Sequence, residues 1–245
     1  MRYKLILEYD GTNLVGWQMQ AIGASVQSML QDAIFKFCGQ RAEVVAAGRT
    51  DAGVHALGMV AHFDLEKTRS AETIMKAVNF HLGQACAPVA VLSCEKVSDD
   101  FHARFSCKRR NYRYVVLNRR APAVLCRDMA WWVPRPLDIA AMRAAAKHLP
   151  GRHDWSSFRA AECQAKSPVK TLDSISIEET GDGYITIEFS AKSFLHHQVR
   201  NIVGTLVEIG LGKPLDIKKI FAAKSRAAAG QTAPAGGLYF VSADY

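Results

Sequence analysis

The chain has 245 residues, of which 49% are hydrophobic and 22% charged, and its formal net charge is +8. These fractions are typical of a globular protein, and no apolar run approaches the roughly 18 residues that a membrane helix needs. No charged leader precedes a signal-like core, so we expect a cytoplasmic protein without a membrane segment. The positive charge favours a polyanionic partner. The six cysteines lack C-x-x-C spacing, which argues against a zinc site or a redox dithiol.

Hydrophobic patterning in the first half of the chain predicts the order strand, helix, strand, strand, helix, strand. The alternation in RYKLILE predicts a strand from Arg2 to about Glu8. A helical stripe follows the capping residue Ser25 and ends at Gly39. EVVAA and GMVAHFDL predict two short strands, Ser70 begins a second helix, and VAVLSCEKV predicts a further strand.

The second half predicts the same order. NYRYVVLN is a strand, DIAAMRAAAKHL a helix, and LDSISIEE and YITIEFSAK two strands joined by a hairpin around 180–183. HHQVRNIVGTLVEIG is a helix, a short helix starts near Asp216, and GLYFVSADY closes as a strand. We therefore predict an α+β fold of two ferredoxin-like βαββαβ halves, residues 1–105 and 106–245, with a groove between their sheets.

The stretch GRTDAGVHA places Arg49 and Asp51 among glycines and alanines. One interpretation is a turn, since Asp followed by small residues commonly bonds to its own backbone. The other is that small neighbours let a bulky planar ligand reach the Asp51 carboxylate. Arg49 lies two residues away, so in extended backbone both side chains share a face. A cation there would bind phosphate or hold the carboxylate ionised.

Residues 108–120 concentrate the excess charge in Lys108, Arg109, Arg110, Arg113, Arg119 and Arg120. In strand geometry Tyr112 and Tyr114 point to one face and Arg113 to the other. Aromatics interleaved with arginines suit stacking on bases and contact with phosphates. A basic edge strand that discourages sheet aggregation explains the same pattern. Both interpretations stand at this point.

The stretch FLHHQVRN pairs His196 with His197, but adjacent residues on a helix diverge by about 100° and no acidic ligand lies three or four positions away. We therefore predict no metal site. Arg200 lies near the positive end of an apolar helix, where a cation needs an anion nearby. A surface acid, a bound phosphate or Asp51 would serve. Phosphate-binding loops and nucleophile elbows are absent, so nothing supports triphosphate use or serine hydrolysis.

Six motifs make the chain resemble the tRNA pseudouridine synthase A (TruA) family from about Arg2 to Tyr245: YDGTNLVGWQ at 9–18, GRTDAGVHA at 48–56, FHARFS at 101–106, NYRY at 111–114, FLHHQVRNIVG at 194–204 and GLYFV at 237–241. The resemblance implies a cofactor-free isomerase that converts uridine to pseudouridine at positions 38, 39 and 40 in the anticodon stem-loop of tRNA. It also implies a homodimer that the tRNA spans, and two halves that meet in one mixed, largely antiparallel sheet.

The resemblance implies the following roles for the positions that match the family's motifs. Asp51 is the nucleophile on a flipped-out uridine, and the sequence leaves open whether it attacks C1′, assists departure of the base or adds to the ring. Arg49 holds the flipped nucleotide or its phosphate, and Tyr112 stacks on the uracil and helps move the C5 proton. Arg200 pairs with Asp51, and Leu238 forms an apolar wall. Lys108, Arg109 and Arg110 are expected on the RNA backbone.

Three other functions compete with this one. A pseudouridine synthase that acts on another RNA would share the chemistry, because loops and surface charge set the substrate. A non-catalytic RNA-binding module would keep the basic cluster, but the set of Arg49, Asp51, Tyr112 and Arg200 disfavours it. A basic metabolic enzyme without an RNA partner is disfavoured by the charge in 108–120. A turnover assay separates the first two functions.

Overall fold

The protein is described by a computed structural model that covers residues 1–245 and divides into two compact units. Its strands are β1 Arg2–Tyr9, β2 Val45–Ala46, β3 His55–Asp64, β4 Val89–Val97, β5 Arg109–Leu117, β6 Trp131–Trp132, β7 Gly151–Asp154, β8 Val169–Leu172, β9 Ser174–Gly181, β10 Tyr184–Ala191 and β11 Leu238–Asp244. Its α-helices are α1 Val26–Cys38, α2 Ala71–Gln84, α3 Ile139–Ala146, α4 Gln198–Gly210 and α5 Ile217–Ala223. The α+β class and the mixed, largely antiparallel strand pairing are confirmed. None of the helices is long and apolar enough to cross a bilayer.

The first unit comprises Met1–Arg110 and Tyr239–Tyr245, and the second comprises Asn111–Leu238. The division predicted from the sequence lies near residue 105, with the whole C-terminal strand in the second half. The difference arises because β11 pairs in parallel with β3, with Tyr239 opposite His55. Pairing between strands so far apart in the chain leaves no local pattern in the sequence.

The first unit follows the predicted order β1-α1-β2-β3-α2-β4. Its strands lie in the order β4-β1-β3, and β2 and β11 both pair with β3. Alternate residues of β1 are buried, namely Tyr3, Leu5, Leu7 and Tyr9. Ser25 caps α1 through a capping box with Ser28, and Gly39 ends it with φ 73°. The apolar faces of α1 and α2 complete the core of this unit.

The second unit contains β5, the antiparallel hairpin β9–β10 and the helices α3 to α5. The hairpin turns through Gly181 and Gly183, both with positive φ. Almost every residue of α4 is buried, including the predicted apolar stripe of Val199, Ile202, Val203 and Leu206. Strand β6 and the separate hairpin β7–β8 are not predicted from the sequence, because strands of two to four residues are too short to show a period.

Candidate active site

Asp51 lies in the first unit, in the loop that joins β2 to β3. The loop turns at this point, since the Val54 N–H donates to the backbone carbonyl of Asp51 at 3.2 Å and Gly53 has φ 78°. Asp51 is half-buried and Arg49 is exposed. A turn and a side chain accessible to a ligand therefore occur together here, although the sequence presents them as alternatives.

The segment 9–17 holds this loop in place. The Tyr9 hydroxyl and Thr50 Oγ1 share a buried hydrogen bond of 2.8 Å. The Trp17 N–H donates to the carbonyl of Thr50 at 3.1 Å, and the Gly53 N–H donates to the carbonyl of Leu14 at 3.3 Å. These bonds fix the backbone on both sides of Asp51, so the YDGTNLVGWQ motif acts as the support of the Asp51 loop.

Two glycines in the segment 9–17 allow its backbone to lie close to the backbone of the Asp51 loop. A Cβ on Gly11 would lie 2.1 Å from the carbonyl oxygen of Val54, and one on Gly16 would lie 2.5 Å from that of Thr50. Gly16 also has φ 101°, a conformation that disfavours other residues. His55 is buried beneath the loop, where its Nδ1 accepts the Gly11 N–H at 3.1 Å. Gly11 and Gly16 are thus needed for the close packing of this segment against the backbone of the Asp51 loop.

Arg110 has a structural part that the sequence analysis misses. Its side chain is only 9% exposed, and its guanidinium donates to the carbonyls of Ala47, at 2.6 and 2.9 Å, and Arg104, at 2.8 Å. These bonds give Arg110 a structural part, since they brace the chain that leads into the Asp51 loop. Lys108 and Arg109 are exposed. Contact of all three residues with the RNA backbone stays a prediction.

Arg200 lies in the second unit, in the first turn of α4. Its Nε donates to the carbonyl of Ala233 at 2.8 Å, and the Ala233 N–H donates back to the carbonyl of Arg200 at 3.1 Å. His197, which precedes α4, has φ 60°, a left-handed conformation that costs a non-glycine residue about 1–2 kcal/mol. The position of Arg200 is therefore set on both its main chain and its side chain.

The segment 226–234, here called the strap, runs along α4 and is joined to it by buried polar groups. Asn201 Oδ1 accepts from Arg226 Nη2 at 3.0 Å and from Thr232 Oγ1 at 2.7 Å. Thr205 Oγ1 accepts the N–H of Gly230 at 3.0 Å. Asn201 and Thr205 lie one helical turn apart, so they present a polar stripe on an otherwise apolar helix.

The close contact between the strap and α4 also requires a glycine on the helix. A Cβ on Gly204 would lie 1.7 Å from the carbonyl oxygen of Gln231. The Gln231 N–H donates to Glu208 Oε1 at 3.2 Å, which extends the polar stripe by a further turn. The strap is not predicted from the sequence, because a run of small residues such as QTAPAGG has no period.

Tyr112 and Tyr114 are both buried on β5, while Arg113 between them is half-buried and binds Glu188 Oε1 at 2.8 Å. The predicted alternation along this strand is therefore present. The Tyr112 ring meets the ring of Phe194 edge to face at 5.1 Å between centroids. Phe194 belongs to the FLHHQVRNIVG motif, and its contact with Tyr112 is not predicted from the sequence.

Tyr114 contacts the end of the strap, and Leu238 follows the strap in the chain. The Tyr114 hydroxyl donates to the carbonyl of Pro234 at 2.7 Å. Burial raises the pKa of Tyr114, against a smaller opposing effect of the Arg200 charge. A Cβ on Gly237 would lie 2.6 Å from the Tyr114 ring, so the chain crosses that ring closely before Leu238, which is 6% exposed. The second unit thus gathers Tyr114, Arg200 and the strap into one network.

Comparison with known proteins gives matches over the whole chain. A family model described as tRNA pseudouridine synthase matches residues 5–106 and 145–245. The tRNA pseudouridine synthase A of Rhodospirillum centenum is 54% identical over 246 residues, covering 100% of this chain and 99% of that protein. The protein of the same name from Ehrlichia ruminantium is 52% identical over 248 residues, covering 100% of both. A crystal structure of a Cbf5–Nop10–Gar1 complex aligns with 98% of this chain and 58% of its own at a TM-score of 0.38 and 11% identity, too low to support an argument.

Proposed function

The chain belongs to the tRNA pseudouridine synthase family and is an isomerase that acts on tRNA; from this premise we propose that it modifies uridines 38, 39 and 40 of the anticodon stem-loop with Asp51 as its nucleophile. The observation that carries the proposal is the half-buried Asp51 on a loop fixed by the segment 9–17. A carboxylate held in this way has the fixed geometry that a nucleophile requires.

The reaction rearranges one nucleoside. The bond between ribose C1′ and N1 breaks, the uracil turns, and a new bond joins C1′ to C5. C5 loses its proton and N1 ends with one, so all atoms balance and the reaction needs no oxidant, triphosphate or metal. A carboxylate suits covalent work at a sugar carbon. An ordinary glycosidase would instead use a second carboxyl group within about 10 Å.

The other residues serve the same flipped nucleotide. Arg49 is exposed beside Asp51 and would hold the nucleotide or its phosphate. Tyr112 would stack on the uracil, Leu238 would pack against it, and Arg200 would pair with Asp51. The family resemblance carries these three roles. The anchoring of Arg200 to Ala233 supports a fixed cation, and the uridine must leave its stack to reach such a site.

The proposed partner is tRNA, bound in the cytoplasm by a homodimer. Net charge of +8 and the exposed side chains of Lys108 and Arg109 support binding to a phosphate backbone. The electrostatic contribution to such binding weakens as the salt concentration rises. Affinity for tRNA should therefore fall steeply between low and physiological ionic strength. Sedimentation of the purified protein tests the dimer directly.

Mapping of pseudouridine in a strain that lacks the gene tests the proposed positions. Pseudouridine should disappear at tRNA positions 38 to 40, return with the wild-type gene, and stay absent with Asp51→Asn expressed at the same level. Loss of pseudouridine from another RNA, with positions 38 to 40 intact, would favour a synthase with a different substrate. An unchanged pseudouridine content in every class of RNA would favour a non-catalytic RNA-binding module.

A further inference from the structure

Residues 101–106, with the sequence FHARFS, form a loop just before β5 in which one aromatic ring faces solvent. Phe105 is 77% exposed, the most exposed phenylalanine among the large apolar residues of the surface. Single exposed apolar residues are common and need no explanation. The loop around Phe105, however, is unusually well fixed for a segment that carries such a residue.

The loop is closed by its own side chains. His102 Nδ1 accepts the backbone N–H groups of Arg104 at 3.1 Å and Phe105 at 3.2 Å. Ser106 Oγ accepts the N–H of His102 at 3.0 Å, and the Ser106 N–H donates to the carbonyl of His102 at 2.9 Å. His102 and Ser106 therefore bridge the turn from both ends and fix the backbone beneath Phe105.

The rest of the unit anchors the same loop. Ala103 donates its N–H to Nδ1 of the buried His62 at 3.2 Å, and its carbonyl accepts the Tyr245 hydroxyl at 2.7 Å. Arg110 Nη2 donates to the carbonyl of Arg104 at 2.8 Å. Two distant residues, His62 and Tyr245, and the nearby Arg110 thus hold the backbone of a six-residue loop. Phe105 lies in this fixed loop with its ring exposed.

The Phe105 ring contacts neighbouring side chains on one side only. It lies against the His102 ring at 4.3 Å between centroids with a tilt of 34°, and the Arg104 guanidinium carbon lies 5.9 Å from its centroid. With 77% of the residue exposed, the ring is open to a second planar group. Exposed Arg104, Lys108 and Arg109 lie within four residues of Phe105 in the chain and outnumber the exposed Asp99 and Asp100 that precede the loop, so the net charge near Phe105 is positive. A rigid aromatic ring among cations is the arrangement that stacks on nucleobases while phosphates are held nearby.

We propose that Phe105 is a stacking platform for an unpaired nucleobase of the tRNA, outside the nucleotide that is isomerised. The proposal takes its partner from the proposed function and adds a contact that the catalytic residues do not supply. Stacking on an aromatic side chain is worth roughly 1–3 kcal/mol per base, or about a 5- to 150-fold change in affinity. Because the contact is not ionic, its loss should leave the salt dependence of binding unchanged.

Binding of tRNA to the full chain in the non-reacting Asp51→Asn background tests the platform. Phe105→Ala should weaken binding at least about 5-fold with an unchanged slope of log Kd against log salt. Phe105→Trp should restore affinity and Phe105→Leu should not, since stacking needs a planar ring. Arg109→Ala should lower the slope by about 1, which separates a phosphate contact from a stacking contact.

Phe80 provides a matched control. It is 61% exposed and also lies against a histidine, His81, at 5.3 Å, but it stands on α2 beside the balanced pair of Glu72 and Lys76. Phe80→Ala should bind tRNA as the parent does. Equal affinity of Phe105→Ala and the parent would overturn the platform. So would a change of oligomeric state in Phe105→Ala, which would make this surface an interface between copies of the chain.

The two proposals fail separately. Wild-type protein without pseudouridine activity, combined with the expected loss of affinity in Phe105→Ala, would contradict the proposed function and leave the platform standing. Normal modification of positions 38 to 40, combined with unchanged binding by Phe105→Ala, would contradict only the platform.

Discussion

The Asp51 loop is held mainly by main-chain groups of the segment 9–17, whereas the strap is held on α4 mainly by buried side chains. In the first case the Thr50 carbonyl and the Gly53 N–H bond to the backbone of that segment. In the second, Asn201 and Thr205 bond to the strap through their side chains. One support depends on how closely two backbones approach, and the other on complete pairing of buried polar atoms.

The contrast has an energetic consequence. Close backbone contact excludes even one added methyl group, so the Asp51 loop is sensitive to replacement of glycine. A buried polar network is sensitive to loss of any partner, because each orphaned group costs about 1–3 kcal/mol. The α4 region carries both sensitivities, since Gly204 also lies against the strap. Substitutions should therefore affect the second region most.

Gly204→Ala should have the largest effect. Its Cβ would lie 1.7 Å from a backbone oxygen of the strap, so the strap has to move and lose its polar pairs. We expect a loss of more than about 3 kcal/mol in the free energy of unfolding, or no folded protein. Gly83→Ala in α2 is the matched helical control, since its Cβ would meet nothing within 4 Å. It should gain about 0.5 kcal/mol, and urea denaturation measures both; equal stability of the two variants would contradict the tight fit.

Gly16→Ala should come next and should act on the Asp51 loop. The added Cβ would lie 2.5 Å from the Thr50 carbonyl oxygen, in a backbone with φ 101°. We expect a loss of about 3 kcal/mol in stability and at least a tenfold loss of kcat as the loop shifts. Gly39→Ala isolates the backbone strain, because Gly39 has φ 73° with nothing within 4 Å. If Gly16→Ala and Gly39→Ala had the same kcat, the close contact between Gly16 and the Thr50 carbonyl would not be needed for catalysis.

A change of pH should weaken the first unit through His62. Burial first, and then the positive charges of Arg2 and His102, lower the pKa of His62 from 6.5 to about 4. The neutral ring accepts the Ala103 N–H, so its contribution is complete above pH 6.5 and is lost as the pH falls from 6.5 to about 4. The loss should be about 3 kcal/mol, because the pKa of His62 falls from 6.5 to about 4 on folding and one pKa unit corresponds to about 1.4 kcal/mol.

The variant His62→Gln separates this titration from the protonation of carboxylates. Glutamine accepts the same N–H and does not titrate, so urea denaturation of the variant should show a shallower fall in stability between pH 6.5 and 4 than the wild type shows. Parallel curves for the two proteins would mean that His62 does not titrate in this range.

Removal of one tyrosine hydroxyl from each region should have the smallest effect. Tyr9→Phe removes the bond to Thr50 Oγ1, and Tyr114→Phe removes the bond to the Pro234 carbonyl. Each should cost about 1 kcal/mol. Tyr9→Phe leaves the Trp17 and Gly53 bonds to the loop intact, so chemical denaturation should show the change while kcat stays within about threefold. A large loss of kcat in Tyr9→Phe would mean that the hydroxyl alone positions the loop.

Features that depend on local chemistry are predicted from the sequence, whereas contacts between distant residues are not. Ser25, Gly39 and Asp216 mark helix ends by local chemistry, and the structure confirms all three. The alternation of Tyr112 and Tyr114 is likewise local. The parallel pairing of β11 with β3 and the bonds between Asn201 and the strap join residues that are distant in the chain, so no period records them. Arg110 illustrates the limit: its charge is visible in the sequence, but its burial is not.

The central claim is that Asp51 performs the chemistry, and release of tritium from tRNA labelled at uracil C5 measures it most directly, because pseudouridine formation removes that hydrogen. Asp51→Asn should bind tRNA within a few-fold of the wild type and release tritium more than about 1000-fold more slowly. Release at a rate near that of the wild type, by a variant that binds normally, would contradict the account.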